Sequence, residues 1–134
     1  MTALPSATPS STSVPLIGVL RALLLAEAAA TLVLSIFLSL LAGADADAET
    51  SLRFAAGASF LFAIFAAVAS RGARRRRGWA WTMAAILQVL LAIGTGVAVM
   101  TAEWHPAYLI GFGLAAVVMV VLSTGPVRSA LGQD

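Results

Sequence analysis

Across 134 residues, 60% of the side chains are hydrophobic and only 10% are charged, with a net charge of +2. Soluble domains run to about half apolar and about a quarter charged, so this composition and a mean hydropathy of +0.98 describe an integral membrane protein. The absence of cysteine excludes disulfides, thiolate metal sites and cysteine nucleophiles, and the length leaves room for one compact unit only.

Residues 1–15, "MTALPSATPSSTSVP", are rich in Pro, Ser and Thr and carry no charged side chain. Such a stretch buries too little apolar surface to order itself, which predicts a disordered tail. It also lacks the charged n-region of a secretory signal.

The first apolar run covers about 16–42 and is interrupted by Arg21 and Glu27. The small residues of "AGADADA" that follow offer an A-x-A cleavage pattern, but the run is too long for a signal h-region and contains an acid. Within it, Glu27, Thr31, Ser35 and Ser39 recur every four residues and form a candidate polar stripe. Each hydroxyl alone can bond its own helix carbonyls; four in sequence suggest an inward face. An ionisable group at membrane depth costs several kcal/mol, ~3 on insertion scales. It escapes much of that cost by staying protonated or by meeting a hydrogen-bonding partner. Glu27 is therefore read either as a proton or cation site or as a polar lock between helices. Arg21 lies six residues earlier, about 120° away around the helix, and is expected to snorkel to the nearer interface.

The connection "GADADAETSLR" carries Asp45, Asp47 and Glu49 against a single Arg53. The second apolar run, about 54–70, has small residues at Ala55, Ser59, Ala63 and Ala67, a candidate packing face. It ends in "RGARRRRG", which holds Arg71, Arg74, Arg75, Arg76 and Arg77, five of the eight basic residues. The pI near 10.5 could suggest nucleic acid, but a cluster confined to one short loop between apolar runs is a topology signal. Its second reading is attraction of anionic lipid head groups.

The third run, about 79–101, carries Ala84, Gln88, Ala92 and Gly96 at four-residue spacing. Gln88 is the expected partner of the Glu27 stripe, because both helices run in the same direction. From Arg77 to Gln88 the rise is roughly 16 Å, and from Arg21 to Glu27 roughly 9 Å, so contact requires some tilt. The "AEWHP" connection holds Glu103 and His105; no second ligand set accompanies His105, so no metal is expected. The fourth run, about 107–124, ends at Gly125-Pro126 with Arg128 just beyond, and residues 129–134 are expected to trail as a short tail.

None of the runs alternates with period two, which argues against a barrel. Short Arg-rich loops stay in the cytoplasm. The expected fold is therefore an all-α, four-transmembrane-helix bundle over 16–128, with both termini cytoplasmic and the acidic connections outside. Trp79 and Trp81 fall at the expected inner boundary, and Trp104 and Tyr108 at the outer one.

No P-loop, G-x-S-x-G or H-E-x-x-H motif is present, and Ser35 and Ser39 have no base beside them. No enzymatic activity and no cofactor is expected. The combination "RALLLAE", "RRGWAW", "ILQVLLAIG" and "GPVRSAL" resembles small integral membrane proteins of high-GC actinobacteria, which implies a multi-pass protein of a bacterial plasma membrane. Locally, "LLAEAAATL" is similar to the first helix of the small multidrug resistance family. That likeness implies a dimeric four-helix transporter in which Glu27 is the shared proton and substrate site. The chain departs from that family in its Arg-rich loop and in the boundary positions of Trp79 and Trp81. The expected function is a structural or accessory membrane component, packing on itself or on a larger complex and meeting lipid head groups at its Arg loop; a small proton-coupled transporter is the alternative.

Overall fold

The computed structural model describes residues 13–44, 46–101 and 106–133. They form α1 (Ser13–Ala42), α2 (Glu49–Arg74), α3 (Gly78–Thr101), α4 (Ala107–Ser123) and α5 (Gly125–Ala130). No strand occurs among the described residues. Among the described residues three helical spans are long and apolar enough to cross a membrane, Pro15–Ala42, Glu49–Arg74 and Gly78–Thr101. The 17 residues of α4 rise about 26 Å, just short of a ~30 Å hydrocarbon core. The chain is thus an all-helical, apolar bundle fitting a multi-pass membrane protein, with α4 compatible as a fourth crossing. The tail expected at residues 1–15 lies mostly outside the described residues.

α2 exceeds its apolar run at both ends, and charge explains why. Glu49 stands in the first turn and pairs with Arg53 one turn on at 2.6 Å, an arrangement favoured by the helix dipole and by i,i+4 geometry. At the other end Arg71 and Arg74 occupy the last turn, where cations meet the negative end of the dipole. The arginine loop therefore shrinks to Arg75, Arg76 and Arg77. Its closure is tight: the Arg76 amide donates to the Ala73 carbonyl at 3.0 Å and the Arg77 amide to the Gly72 carbonyl at 3.1 Å. This is a Schellman closure with Arg76 in the left-handed region at φ 50°, where glycine is the usual occupant.

The fourth run does not end in a trailing tail. Thr124 turns extended, and α5 begins with Pro126 in its first turn, where a missing N–H costs nothing. Pro126 cannot donate to the Leu122 carbonyl, four residues earlier. The Trp81 indole N–H of α3 donates to that oxygen instead, at 2.9 Å. α5 folds back to bury Val127 and Leu131. A second Schellman closure, with Gly132 at φ 70° and the Gln133 amide on the Arg128 carbonyl at 2.8 Å, ends it beside Gly78. A side chain at Gly78 would meet the Leu131 carbonyl at 3.1 Å.

α1 packs chiefly on α2, α2 on α3 and α3 on α4, whereas α1 and α3 scarcely approach at backbone level. The core gathers at the Arg-loop end: Leu20 and Leu24 of α1, Ala66, Ala69 and Ala73 of α2, Ala80, Ala84 and Leu87 of α3, Val118 and Leu122 of α4, and Val127 and Leu131. Small residues on α2 and the start of α3 let backbones come close, which is how helices without a hydrophobic driving force hold together. Large apolar side chains such as Phe54, Leu40, Ile110 and Met100 point away from the bundle.

The small-residue face expected on α2 is shifted. Ala67 is exposed, and the buried positions are Ala56, Ala63, Ala66, Ala69, Ser70, Gly72 and Ala73. The cause is geometric. A step of four residues turns 400°, so a strict four-residue stripe drifts about 40° per step and leaves the interface within three steps.

Candidate functional site

The buried positions of α1 are Ile17, Leu20, Leu24, Glu27, Ala28, Ser35 and Ala42, spaced by three, four or seven with Ala28 the adjacent exception. Glu27 occupies this series where Leu or Ala would serve for packing alone. It is 2% exposed, and Gln88 on α3 is 1% exposed. The Gln88 side-chain amide donates to Glu27 Oε2 at 2.8 Å. The α1 and α3 backbones hardly approach, so it takes two long polar side chains to join these helices by a hydrogen bond. The pair therefore bridges the bundle at the far limit of its packed core.

Two acceptors at the bridge remain without a protein donor: Glu27 Oε1 and Gln88 Oε1. An orphan acceptor is complemented by a donor, either a proton carried by the carboxyl itself or a bound water. Arg21 does not supply it. No ion pair joins Arg21 to Glu27 among the described residues, and the Arg21 Nε is itself buried without a partner.

The other members of the expected stripe part company with Glu27. Thr31 Oγ1 donates to the Glu27 main-chain carbonyl at 2.7 Å. Ser35 turns to α2 and donates to the Ala56 carbonyl at 2.8 Å, joining the two helices. Ser39 is exposed and donates back to the Ser35 carbonyl at 2.8 Å. The drift that displaces the α2 face acts here too: Ser39 lies three steps, about 120°, from Glu27. On α3, Ala84 and Gln88 are buried while Ala92 and Gly96 are half-buried.

Arg71, Arg74, Arg75, Arg76 and Arg77 are all exposed at one end of the bundle. His105, Trp104, Glu103 and Asp45 lie outside the described residues. Among the described residues no cluster of three His, Asp or Glu side chains could hold a metal ion. The polar link that sequence patterning does not reveal is Trp81 to Leu122; its signal is the proline four residues beyond Leu122, which removes that carbonyl's helical donor.

No protein-family model, curated protein or solved structure matches the chain. The likeness of "LLAEAAATL" to the small multidrug resistance transporters therefore rests on that segment alone.

Proposed function

We propose that the protein is a structural or accessory component of a bacterial plasma membrane, without enzymatic chemistry, packing on itself or on a larger membrane complex. The observation that carries this reading is the Glu27–Gln88 hydrogen bond, 2.8 Å long and almost fully enclosed. It joins two helices whose backbones scarcely approach, which is the work of a lock. A transport acid needs a water path that opens to one side and then the other; burial of Glu27 against a protein amide favours the lock. The broad apolar surface of the helices suits lipid or neighbouring helices equally. Under the positive-inside rule both termini and the Arg loop lie in the cytoplasm.

Native mass spectrometry of gently extracted protein tests the reading. A homo-oligomer or a stoichiometric membrane partner supports it; a monomer without partners opposes it. The unpaired Glu27 Oε1 and Gln88 Oε1 favour a second reading, a proton-coupled transporter of cations. Proteoliposomes with an imposed pH gradient separate the two. Uptake of a lipophilic cation that disappears in Glu27→Gln supports the transporter, and no gradient-driven uptake by the unaltered protein supports the lock.

A further inference from the structure

The outer faces of α2 and α3 meet in a groove that lies apart from the Glu27–Gln88 bridge and backs onto the packed core at Leu87. Its apolar part, about 460 Å³, is lined by Phe65, Trp79, Met83, Ile86, Leu87 and Leu90, with Thr82 at its side. A second hollow of about 290 Å³ lies at the Arg-loop end, lined by Val68, Arg71, Gly72, Arg75, Arg77 and Trp79. Trp79 lines both, so the two hollows adjoin at one indole ring, and together they are here called the channel. On α2 the lining follows Phe65, Val68, Gly72 and Arg75, and on α3 Trp79, Met83, Ile86 and Leu90. Both series step by three or four, so each is one stripe of its helix.

Length and charge identify the occupant. Phe65 to Arg75 rises about 15 Å and Trp79 to Leu90 about 16 Å. That is roughly one leaflet, half of a ~30 Å hydrocarbon core. One end of the channel is apolar and the other carries three guanidinium groups, whose planar donor fork fits phosphate oxygens. Trp79 sits between them, at the depth where indole rings meet lipid head groups. Its position depends on Gly72: a Cβ there would lie 2.6 Å from Trp79 Cη2 and 2.8 Å from Cζ2. Only glycine lets the ring lie against α2 and keep the channel open on both sides.

We propose that this channel binds one anionic phospholipid, its phosphate held by Arg71, Arg75 and Arg77 and an acyl chain laid along Phe65, Met83, Ile86 and Leu90. This is a defined site on two helices, distinct from the diffuse attraction that any polybasic loop exerts on an acidic membrane. It is independent of whether the Glu27–Gln88 bridge is a lock or a transport site.

Two substitution pairs of equal charge make the test. Arg71 and Arg75 line the channel, whereas Arg74 and Arg76 do not. The full chain is reconstituted with dioleoylphosphatidylglycerol or dioleoylphosphatidylcholine, and retained lipid is counted by native mass spectrometry. The expected result is one phosphatidylglycerol per chain, held at least tenfold better than phosphatidylcholine. Arg71→Gln/Arg75→Gln abolishes the preference, and Arg74→Gln/Arg76→Gln leaves it within about twofold. Ile86→Trp fills the apolar part from its exposed side without altering charge, and it lowers retention as strongly as the first pair. Glycerol 3-phosphate in excess does not displace the lipid. Equal losses from the two arginine pairs, or retention unaffected by Ile86→Trp, would reduce the effect to surface charge and overturn the proposal. Displacement by glycerol 3-phosphate would make the hollow a free-anion site, and a lipid-free dimer broken by Ile86→Trp would make the groove a contact between copies; either result also overturns it.

Discussion

Two side chains that reach across a gap are worth their coupling energy and no more, and that quantity is measurable for Glu27 and Gln88. Interhelical hydrogen bonds within membranes contribute roughly 0.6–1.7 kcal/mol by double-mutant cycles. Glu27→Leu, Gln88→Leu and the double variant should therefore show a coupling of about 1 kcal/mol in thermal or denaturant unfolding in micelles. Gln88→Leu alone should be the more damaging single change, since it strands a buried acid, whereas Glu27→Gln keeps a hydrogen-bonding group and should leave Tm nearly unchanged. A coupling near zero would remove the lock. The Trp81 indole makes a second such bond, to the Leu122 carbonyl. Trp81→Phe leaves that oxygen without a protein donor and should lower stability by about 1–3 kcal/mol, read as a fall in Tm. Glu27 and Gln88 stand out in the sequence because each is a long polar side chain in an apolar run. The fate of Ser35, Ser39 and Arg21 is not visible there, because it depends on how far each has rotated from the interface and on what a neighbouring helix offers.

Helix ends are decided by charge and backbone geometry more than by hydropathy, and α2 shows both effects. Its apolar run gives the middle of the element; the Glu49–Arg53 pair and the dipole-compatible Arg71 and Arg74 give the rest. Its closure leaves Arg76 at φ 50°, a conformation that costs a side chain roughly 1–2 kcal/mol and glycine almost nothing. Arg76→Gly should therefore hold or raise Tm, while Arg76→Val, with a β-branched chain at the same φ, should lower it. The opposite ranking would mean that the turn takes another conformation. α5 is the element the sequence conceals. Gly125-Pro126 marks the end of α4, but proline is equally at home in the first turn of a new helix. Only Val127 and Leu131, four apart, hint that this turn has a face to bury.

At the scale of the whole molecule, the core and all five clustered arginines lie at one end. The order of apolar runs and the sign of each connection were legible from composition, because membrane crossing imposes one length and one charge bias on every element. The concentration of packing near the Arg loop was not, since it depends on small residues of α2 and α3 meeting the returning α5. Orientation is the property on which both the cytoplasmic assignment and the leaflet of the α2–α3 groove depend. The protein has no cysteine, so single reporters can read it cleanly. Gly43 and Ser129 are exposed at opposite ends of the bundle. If the arginine bias sets the threading, Gly43→Cys in intact cells reacts with a membrane-impermeant maleimide, and Ser129→Cys reacts only after permeabilisation. Replacing Arg74, Arg75, Arg76 and Arg77 with Gln removes most of the bias and should let a measurable fraction of Ser129→Cys chains react from outside. The reverse labelling pattern in the unaltered loop would place both termini outside and move the phospholipid groove to the outer leaflet.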